Sequence, residues 1–375
     1  MAHQSLYRIH RPAIFAEVVG QEQVTKPLEE TAKSKKIGHA YLFAGSRGLG
    51  KTSVARIFAD AIGCKENDLH EIDAASNNSV DAMRALIEGV YTLPFESPYK
   101  VYILDEVHML SKSAWNAFLK TLEEPPAHAV FILATTELEK VPETVQSRCQ
   151  VFEFKKPSRR GLAEVAVSVA KKEGYTLAPD AAELIAMLAE GSYRDALSVL
   201  QKVFAVAAPT LKVGAPTKSV GDVKTLSREV VEAATGAPKR EQVHALISAL
   251  ATDPPAGGRG KALEAIEKAA KSGADMKLFL ELVLEALRAT LLIRYAPELH
   301  TSLQSELGAD EFSVLESMSG SSTSRHEKDL SAQAGITHVT MLAFLNATER
   351  IRYAPIPALP LELAVLELFP DESDK

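Results

Sequence analysis

The apolar positions in the first 157 residues predict short buried strands that alternate with helices. Five runs have the length and composition of strands: residues 40–44, 69–73, 101–105, 130–134 and 151–154. The run at 69–73 has the weakest pattern, whereas those at 101–105 and 130–134 are almost wholly apolar. Apolar strands separated by helical stretches are typical of a parallel sheet covered on both faces. The sequence therefore predicts an α/β domain in this part of the chain.

Beyond residue 157 the pattern becomes that of helices with few strand signals. Helical spacing covers residues 160–173, 180–189, 191–204 and 276–294. The last of these is apolar nearly all round, and its charges form one stripe made by Lys277, Glu281, Glu285 and Arg288. Such a helix is expected to be buried against neighbours, in this chain or in a partner subunit.

Segments rich in Gly, Pro, Ala or Ser interrupt these helices. They are predicted to be loops, linkers or hinges and lie at residues 207–218, 236–238, 253–260 and 317–324. At about 150 residues per domain, a chain of 375 residues corresponds to two or three domains. The breaks near residues 157 and 236 are the expected boundaries.

Composition and charge narrow the class of protein. A hydrophobic fraction of 46% and a charged fraction of 24% exclude wholesale disorder. The chain has no charge-free apolar run of about 18 residues and starts without the apolar core of a signal peptide, so we expect a cytoplasmic protein without a membrane partner. Cys64 and Cys149 form no metal-ligand pattern and suit a reducing compartment. The net charge of −7 does not favour nucleic-acid binding, although a helix N-terminus could still bind an anion locally.

A phosphate-binding loop is the strongest chemical signal. Residues 45–52 read GSRGLGKT, which matches G-x-x-x-x-G-K-[ST] and lies between a predicted strand and a predicted helix. Backbone N–H groups of such a loop surround phosphate oxygens, while Lys51 would neutralise phosphate charge and the Thr52 hydroxyl would bind Mg²⁺. A chance glycine turn before a helix is the alternative.

An acidic pair at the end of another strand supplies the second half of such a site. Asp105 ends the apolar run VYILD and suits a magnesium site, and Glu106 is placed to orient and deprotonate an attacking water. The alternative is an exposed acidic pair at a strand end. We expect His108 to belong to the following helix and to do no chemistry.

Five segments resemble the gamma/tau family of bacterial DNA polymerase III subunits, the ATPases of the sliding-clamp loader. They cover residues 5–21, 39–56, 101–126, 134–149 and 190–197, in the family's order and over about half of the chain. The resemblance implies the AAA+ fold, with a nucleotide-binding domain at 1–158, a helical lid at 159–236 and an all-α collar that joins subunits at 237–375.

The resemblance also implies ligands, partners and a function. ATP and Mg²⁺ are the implied ligands. The implied partners are the delta and delta-prime subunits, further gamma/tau copies, the sliding clamp and primer–template DNA. ATP hydrolysis between subunits would open the clamp and load it onto DNA. Lys112 and Lys120 are candidates for DNA contact, and solvated helix faces are their alternative role.

The family motifs assign further site residues. Tyr7, Arg11, Pro12, Val18 and Val19 match the segment around the adenine and ribose, and Thr135 or Thr136 matches a polar sensor of the γ-phosphate. Arg148 matches the arginine finger that reaches the ATP of a neighbouring subunit, where it would act with Lys51 and Glu106 in catalysis, and Arg194 matches the lid arginine. With the phosphate loop, the implied nucleotide-binding set is Tyr7, Arg11, Pro12, Val18, Val19, Gly45, Ser46, Arg47, Gly48, Leu49, Gly50, Lys51, Thr52, Ser53, Thr135, Thr136 and Arg194.

Several of these residues have simpler alternatives. Tyr7 could pack in a core, Thr135 and Thr136 could only end a strand, and Arg148 could be solvated. Arg194 could pair with Asp195 at the start of a helix. Cys149 fits a small core residue better than a reactive thiol.

The sequence departs from the family at two places. The family's four-cysteine zinc module is missing, and Cys64 with His70 cannot supply four ligands, so we expect no structural zinc. Longer members continue past the collar, whereas this sequence ends at Lys375, as either a short form or a truncated one.

Two other functions are kept open. One is another AAA+ ATPase of DNA metabolism, such as a Holliday-junction motor or an archaeal or eukaryotic loader small subunit. The other is a non-catalytic scaffold that uses nucleotide only for assembly. The non-catalytic scaffold is disfavoured by the presence of Lys51, Glu106 and Arg148. The other type of AAA+ ATPase is disfavoured by the DEVHML and EEPP segments and by the long helical tail.

Overall fold

A computed structural model of the chain describes residues 5–207, 224–252, 258–307, 309–319 and 336–369. The chain forms two compact units, Met1–Leu226 and Ser227–Lys375. The expected division into three parts, at residues 158 and 236, stays a prediction.

The first unit is built on a five-stranded parallel sheet. Its strands are β1 (Ala40–Ala44), β2 (Leu69–Asp73), β3 (Lys100–Asp105), β4 (Ala129–Thr135) and β5 (Gln150–Glu153). They lie in the order β2-β3-β4-β1-β5, and every neighbouring pair is parallel. The predicted α/β sheet with its five strands is therefore confirmed.

Helices cover both faces of this sheet. The helices up to residue 146 are α1 (Leu6–Ile9), α2 (Glu22–Ser34), α3 (Lys51–Ala61), α4 (Val80–Val90), α5 (Lys112–Glu123) and α6 (Glu143–Gln146), of which α2 to α6 contribute to the apolar clusters on the sheet. Successive side chains of a strand point to opposite faces. Leu104 accordingly belongs to the same apolar cluster as Phe118 of α5, whereas Ile103 belongs to that of Phe58 in α3. Burial on both faces explains why the central strands are apolar without alternation.

Three further helices and a small second sheet complete the first unit. The helices are α7 (Arg159–Lys172), α8 (Pro179–Leu188) and α9 (Tyr193–Ala207), as the sequence predicts. β6 (Tyr175–Leu177) pairs in parallel with β7 (Lys224–Leu226). These two strands were not expected, because three residues are too few to show a strand period.

The second unit is helical throughout the residues that are described. Its helices are α10 (Arg228–Thr235), α11 (Arg240–Ala251), α12 (Gly258–Lys271), α13 (Met276–Tyr295), α14 (His300–Leu307), α15 (Ala309–Met318), α16 (His338–Ile351) and α17 (Leu359–Leu368). α13 is its long central element, with apolar residues such as Phe279 and Leu287 fully buried. The predicted burial of this helix is confirmed. Of its predicted charged stripe, Lys277 and Arg288 are exposed, whereas Glu281 and Glu285 are partly buried.

The predicted breaks have different outcomes. Gly236 ends α10 in the left-handed conformation, with φ of 71°, as expected at the break at 236–238. The prediction of a loop over residues 253–260 is wrong for its last three residues, because residues 258–260 form the first turn of α12. A Cβ atom on Gly258 would lie 2.7 Å from the Thr252 carbonyl oxygen, so glycine is needed there for close approach. Most of the predicted loop at 207–218 and hinge at 317–324 lies outside the described residues.

Across the described ranges, every helix is too short or too polar to cross a membrane.

A buried carboxylate fixes the loop between α4 and β3. Asp68, in the turn before β2, accepts hydrogen bonds from the backbone N–H groups of Phe95 (2.5 Å), Glu96 (3.0 Å) and Ser97 (2.9 Å). Burial alone would raise its pKa, but these hydrogen bonds outweigh burial and lower the pKa from 3.8 to about 2. The ionised form of Asp68 therefore stabilises the fold.

We expect Asp68→Asn to lower the free energy of unfolding by about 2 kcal/mol at pH 7, because hydrogen bonds to a charged acceptor are lost. The folded pKa lies below the unfolded value, so the contribution is complete above pH 3.8 and is lost as the pH falls toward about 2. The difference between the two proteins should shrink over that interval. Urea unfolding followed by the fluorescence of Trp115, the single tryptophan, measures it. Asp60→Asn, at an exposed position, is the control, and equal stability of both variants would contradict the assignment.

Candidate active site

The phosphate loop lies between the end of β1 and the start of α3. Within it, Gly45, Gly48 and Gly50 have φ angles of 145°, 79° and 94°, where side chains are strained. A Cβ atom on Gly48 would also lie 2.0 Å from the Ser192 hydroxyl oxygen. The loop can therefore approach the residues before α9 only because glycine is present.

Lys51 begins α3 and is almost fully buried. Its Nζ donates hydrogen bonds to the carbonyl oxygens of Gly45 (2.6 Å) and Ser46 (3.0 Å). Burial lowers the pKa of Lys51, and the charges of Glu106 and Asp105 oppose that effect. A buried ammonium group thus lies within the phosphate loop, close to two acidic residues.

Thr52 and Asp105 come together from different elements. The Thr52 hydroxyl, in the first turn of α3, donates to Oδ2 of Asp105 over 2.9 Å. Asp105 ends β3, and the carboxyl ends of parallel strands meet at one edge of a sheet. A hydroxyl and a carboxylate oxygen at this distance fit Mg²⁺, which takes oxygen ligands.

Glu106 follows β3 in the left-handed conformation, with φ of 51° and ψ of 44°. Its Oε2 accepts a hydrogen bond of 3.1 Å from the Thr136 hydroxyl. Oε2 also lies 3.5 Å from Nδ1 of His108. A residue without the freedom of glycine adopts this conformation only where its surroundings hold it there.

A cleft of about 1120 Å³ extends along this edge of the first unit. It is lined by the N-terminal segment at residues 7–19 that is predicted to contact adenine (the adenine segment), by the phosphate loop from Arg47 onward, by the acidic pair and by parts of α7 and α9. Of the predicted site residues, those in its lining are Tyr7, Arg11, Pro12, Val18, Val19, Arg47, Gly48, Leu49, Gly50, Lys51, Thr52, Ser53, Asp105, Glu106 and Arg194. Gly45, Ser46, Thr135, Thr136 and Arg148 lie outside that lining.

Contacts across the cleft connect its walls. Nε of Arg11 donates to the Ser53 hydroxyl over 2.9 Å, and burial lowers the pKa of Arg11. The guanidinium carbon of Arg194 lies 5.5 Å from the centre of the Tyr7 ring, within the range of a cation–π contact. These contacts join the N-terminal segment both to α3 and to α9.

The two candidate sensor threonines differ in position. Thr135 is fully buried at the end of β4, where its hydroxyl accepts from the Glu137 N–H at 3.0 Å. Thr136 reaches the Glu106 carboxylate, as described above. Thr136 is therefore the better placed of the two for contact with the groups that line the cleft.

Arg148 lies on the surface just after α6. One guanidinium nitrogen donates to Glu123 at 2.6 Å, and the other donates to the Thr144 carbonyl oxygen at 2.6 Å. About one third of its side chain is exposed. In this chain Arg148 therefore forms an ion pair at the end of α5 and is separate from the cleft.

Tyr193 was missed by sequence reasoning. Its backbone N–H donates to the Gly48 carbonyl oxygen at 3.1 Å, and its hydroxyl donates to the Val19 carbonyl oxygen at 2.6 Å. Burial raises the pKa of this hydroxyl to about 12, so it stays a donor. A single residue thus joins α9 to the phosphate loop through its backbone and to the adenine segment through its side chain. The one sequence signal that could have pointed to Tyr193 is that it directly precedes Arg194, which the family motif assigns to the site.

Cys64 and His70 do not form a metal site. In the described part of the chain, no group of three or more His, Cys, Asp or Glu side chains is placed to bind a metal ion. Cys64 is buried, and burial raises the pKa of its thiol to about 11. The expected absence of zinc stays a prediction.

Comparisons with known proteins place the chain in a family. The family model for the DNA polymerase III delta subunit matches residues 20–79 and 67–158. The gamma subunit of Buchnera aphidicola is 36% identical over 242 residues, which are 59% of this chain and 67% of that protein. The chain belongs to the gamma/tau family of DNA polymerase III subunits.

Other members of the gamma/tau family are longer. The tau subunit of Bacillus subtilis is 45% identical over 234 residues, which are 57% of this chain and 42% of that protein. The tau subunit of Escherichia coli is 40% identical over 272 residues, which are 66% of this chain and 42% of that protein. The chain thus spans less than half the length of these tau relatives.

Among solved structures, the RuvB Holliday junction branch migration motor of Thermotoga maritima shares the fold. The match has a TM-score of 0.51 and 22% sequence identity, and it covers 63% of this chain and 78% of the RuvB chain. With the parallel sheet flanked by helices, this likeness confirms the predicted AAA+ fold.

We expect Tyr193→Phe to weaken ATP binding by about two- to tenfold, because one hydrogen bond between α9 and the adenine segment is lost while the ring is kept. Titration of the purified chain with a fluorescent ATP analogue measures the Kd. Tyr91→Phe, at an exposed position outside the cleft, is the matched control. Equal affinity in wild type and Tyr193→Phe would rule out this role for the hydroxyl.

Proposed function

We propose that this chain is an ATP-driven motor subunit of a DNA polymerase III clamp loader. It would bind and hydrolyse ATP at sites between subunits, open the sliding clamp and load it onto primer–template DNA. The observation that carries the proposal is the convergence of Lys51, Thr52, Asp105 and Glu106 at one end of the cleft. Membership in the gamma/tau family supports it.

The triphosphate of ATP would lie along the phosphate loop. Lys51 would exchange its hydrogen bonds to the loop carbonyls for phosphate oxygens, and the N-terminus of α3 adds a positive partial charge. Thr52 and Asp105 would hold Mg²⁺, which neutralises charge on the triphosphate when it is bound. Tyr7, Arg11, Pro12, Val18 and Val19 would surround the adenine and ribose.

Hydrolysis would depend on Glu106. Its carboxylate would orient the attacking water and accept its proton. Thr136 would sense the γ-phosphate beside it, and Arg194 would contact the γ-phosphate from α9.

Arg148 would complete the site of a neighbouring subunit. A guanidinium that contacts the transferred phosphoryl group stabilises the charge that develops there. The position of Arg148 outside its own cleft supports action in trans. Neighbours would be delta, delta-prime or further gamma/tau copies, arranged in a cytoplasmic assembly. In this proposal, residues 1–158 form the nucleotide-binding domain and residues 159–236 form the helical lid. Residues 237–375 form the collar that joins subunits.

We expect Lys51→Ala to abolish ATP binding, because the buried cation is lost, and Glu106→Gln to keep binding but stop turnover, because the base is lost. The measurements are the Kd for ATP and the steady-state turnover of the reconstituted loader, with and without clamp and primed DNA. Wild-type turnover in Glu106→Gln would contradict the mechanism. Unwinding of branched DNA without any clamp would favour a different AAA+ function.

We expect Arg148→Ala to lose hydrolysis while it still binds ATP. Mixing it with Lys51→Ala should restore part of the turnover, since the second variant supplies Arg148 but cannot use ATP itself. A mixture of Arg148→Ala with the Lys51→Ala, Arg148→Ala double variant is the control and should stay inactive. Full turnover by Arg148→Ala alone would exclude action in trans.

A further inference from the structure

The imidazole ring of His108 lies between two carboxylates beside the cleft. Only 8% of its side chain is exposed. Its Nδ1 lies 3.5 Å from Oε2 of Glu106 and 3.2 Å from the Thr135 hydroxyl oxygen. Its Nε2 lies 3.3 Å from Oε1 of Glu137. Nδ1 therefore faces both the Glu106 carboxylate and the Thr135 hydroxyl, and Nε2 faces the Glu137 carboxylate.

The side of the ring away from Glu106 is anchored to the end of β4. Glu137 forms an ion pair of 2.7 Å with Lys140, and its backbone N–H is bonded to the Thr135 hydroxyl. Thr135 itself is fully buried. His108 thus connects Glu106 to a part of the chain that is fixed by a strand end and an ion pair.

The carboxylate of Glu106 is held through one oxygen. In the described residues, the Thr136 hydroxyl donates a hydrogen bond to Oε2 over 3.1 Å, and His108 Nδ1 makes a longer polar contact of 3.5 Å with the same oxygen. Glu106 lines the cleft, whereas His108 does not. A base that is anchored through one oxygen keeps the other oriented toward a reactant, and such orientation is a large part of catalytic efficiency. His108 can influence chemistry in the cleft through Glu106 but has no direct access to it.

We propose that His108 is a positioning residue that holds the Glu106 carboxylate in the orientation needed to activate water. This inference rests on the proposed function of Glu106. It departs from the expectation that His108 belongs to the following helix and does no chemistry. The residue lies in a short 3₁₀ helix, Val107–Met109, before α5, and its two ring nitrogens face Glu106 and Glu137.

Three substitutions of His108 distinguish positioning from simple packing. Asn can place an N–H donor near the position of Nδ1, Gln can place one near Nε2, and Ala keeps neither. We expect His108→Ala and His108→Gln to lower kcat about tenfold or more, and His108→Asn to stay within about threefold of wild type. The Kd for ATP should change less than about twofold in all three, since the phosphate loop is intact.

The measurements are the ATP Kd, KM and kcat of the full chain in the reconstituted loader with clamp and primed DNA. Thermal unfolding checks folding, and His128→Asn is the control, because His128 bonds to the Val90 carbonyl oxygen away from the cleft. If His108→Ala does not fold, the comparison of Asn with Gln still decides. Equal kcat for Asn and Gln, or a loss that appears in the Kd, would overturn the proposal.

A double variant tests whether His108 acts through Glu106. Adding His108→Ala to Glu106→Gln should cause no further loss of single-turnover hydrolysis, because the group to be positioned is already gone. Losses that multiply would overturn the proposal. The proposed function fails separately, if the wild-type loader shows no turnover or if Glu106→Gln alone leaves turnover unchanged.

Discussion

The hydrogen bond between Thr52 and Asp105 ties together the two halves of the candidate site. Thr52 belongs to the helix that follows β1, and Asp105 ends β3, which is separated from β1 in the sheet by β4. The parallel sheet brings the carboxyl ends of β1 and β3 to the same edge. Because both faces of the sheet are buried, the positions of these two strand ends relative to each other are fixed. Because the phosphate loop, the acidic pair and the carboxyl end of β4 share this edge, their geometry depends on the packing of the sheet.

Helix α9 lines a part of the cleft in addition to the residues at the edge of the sheet. Tyr193 bonds to the phosphate loop through its backbone and to the adenine segment through its hydroxyl, while the guanidinium of Arg194 lies within cation–π distance of the Tyr7 ring. The close approach to Gly48 leaves no room for a side chain there. Any ligand in the cleft would therefore be enclosed by elements far apart in the sequence, and its binding would be coupled to the position of α9.

Much of this site could be predicted from the sequence, because its parts carry strong local patterns. The glycine loop and the apolar strand before Asp105 are contiguous motifs with a physical meaning. The contact of Tyr193 with Val19 could not be predicted, since it joins residues 174 positions apart through one hydroxyl group. The contact of His108 with Glu137 could not be predicted for a related reason. Its partner Glu137 lies after a different strand, and the sequence does not show that β3 and β4 are neighbours.

The ion pair between Arg148 and Glu123 has a consequence for reversibility. Both side chains are substantially exposed, and a surface pair of this kind contributes no more than about 1 kcal/mol. Such a weak ion pair gives the guanidinium a partner when no stronger one is near. It can be broken at a small cost in free energy when a stronger partner approaches. If Arg148 serves an adjoining subunit, breaking this ion pair would cost little free energy, so the resting contact would not prevent the side chain from moving to its new partner. Dissolved salt would weaken the resting contact further, since it screens exposed charges.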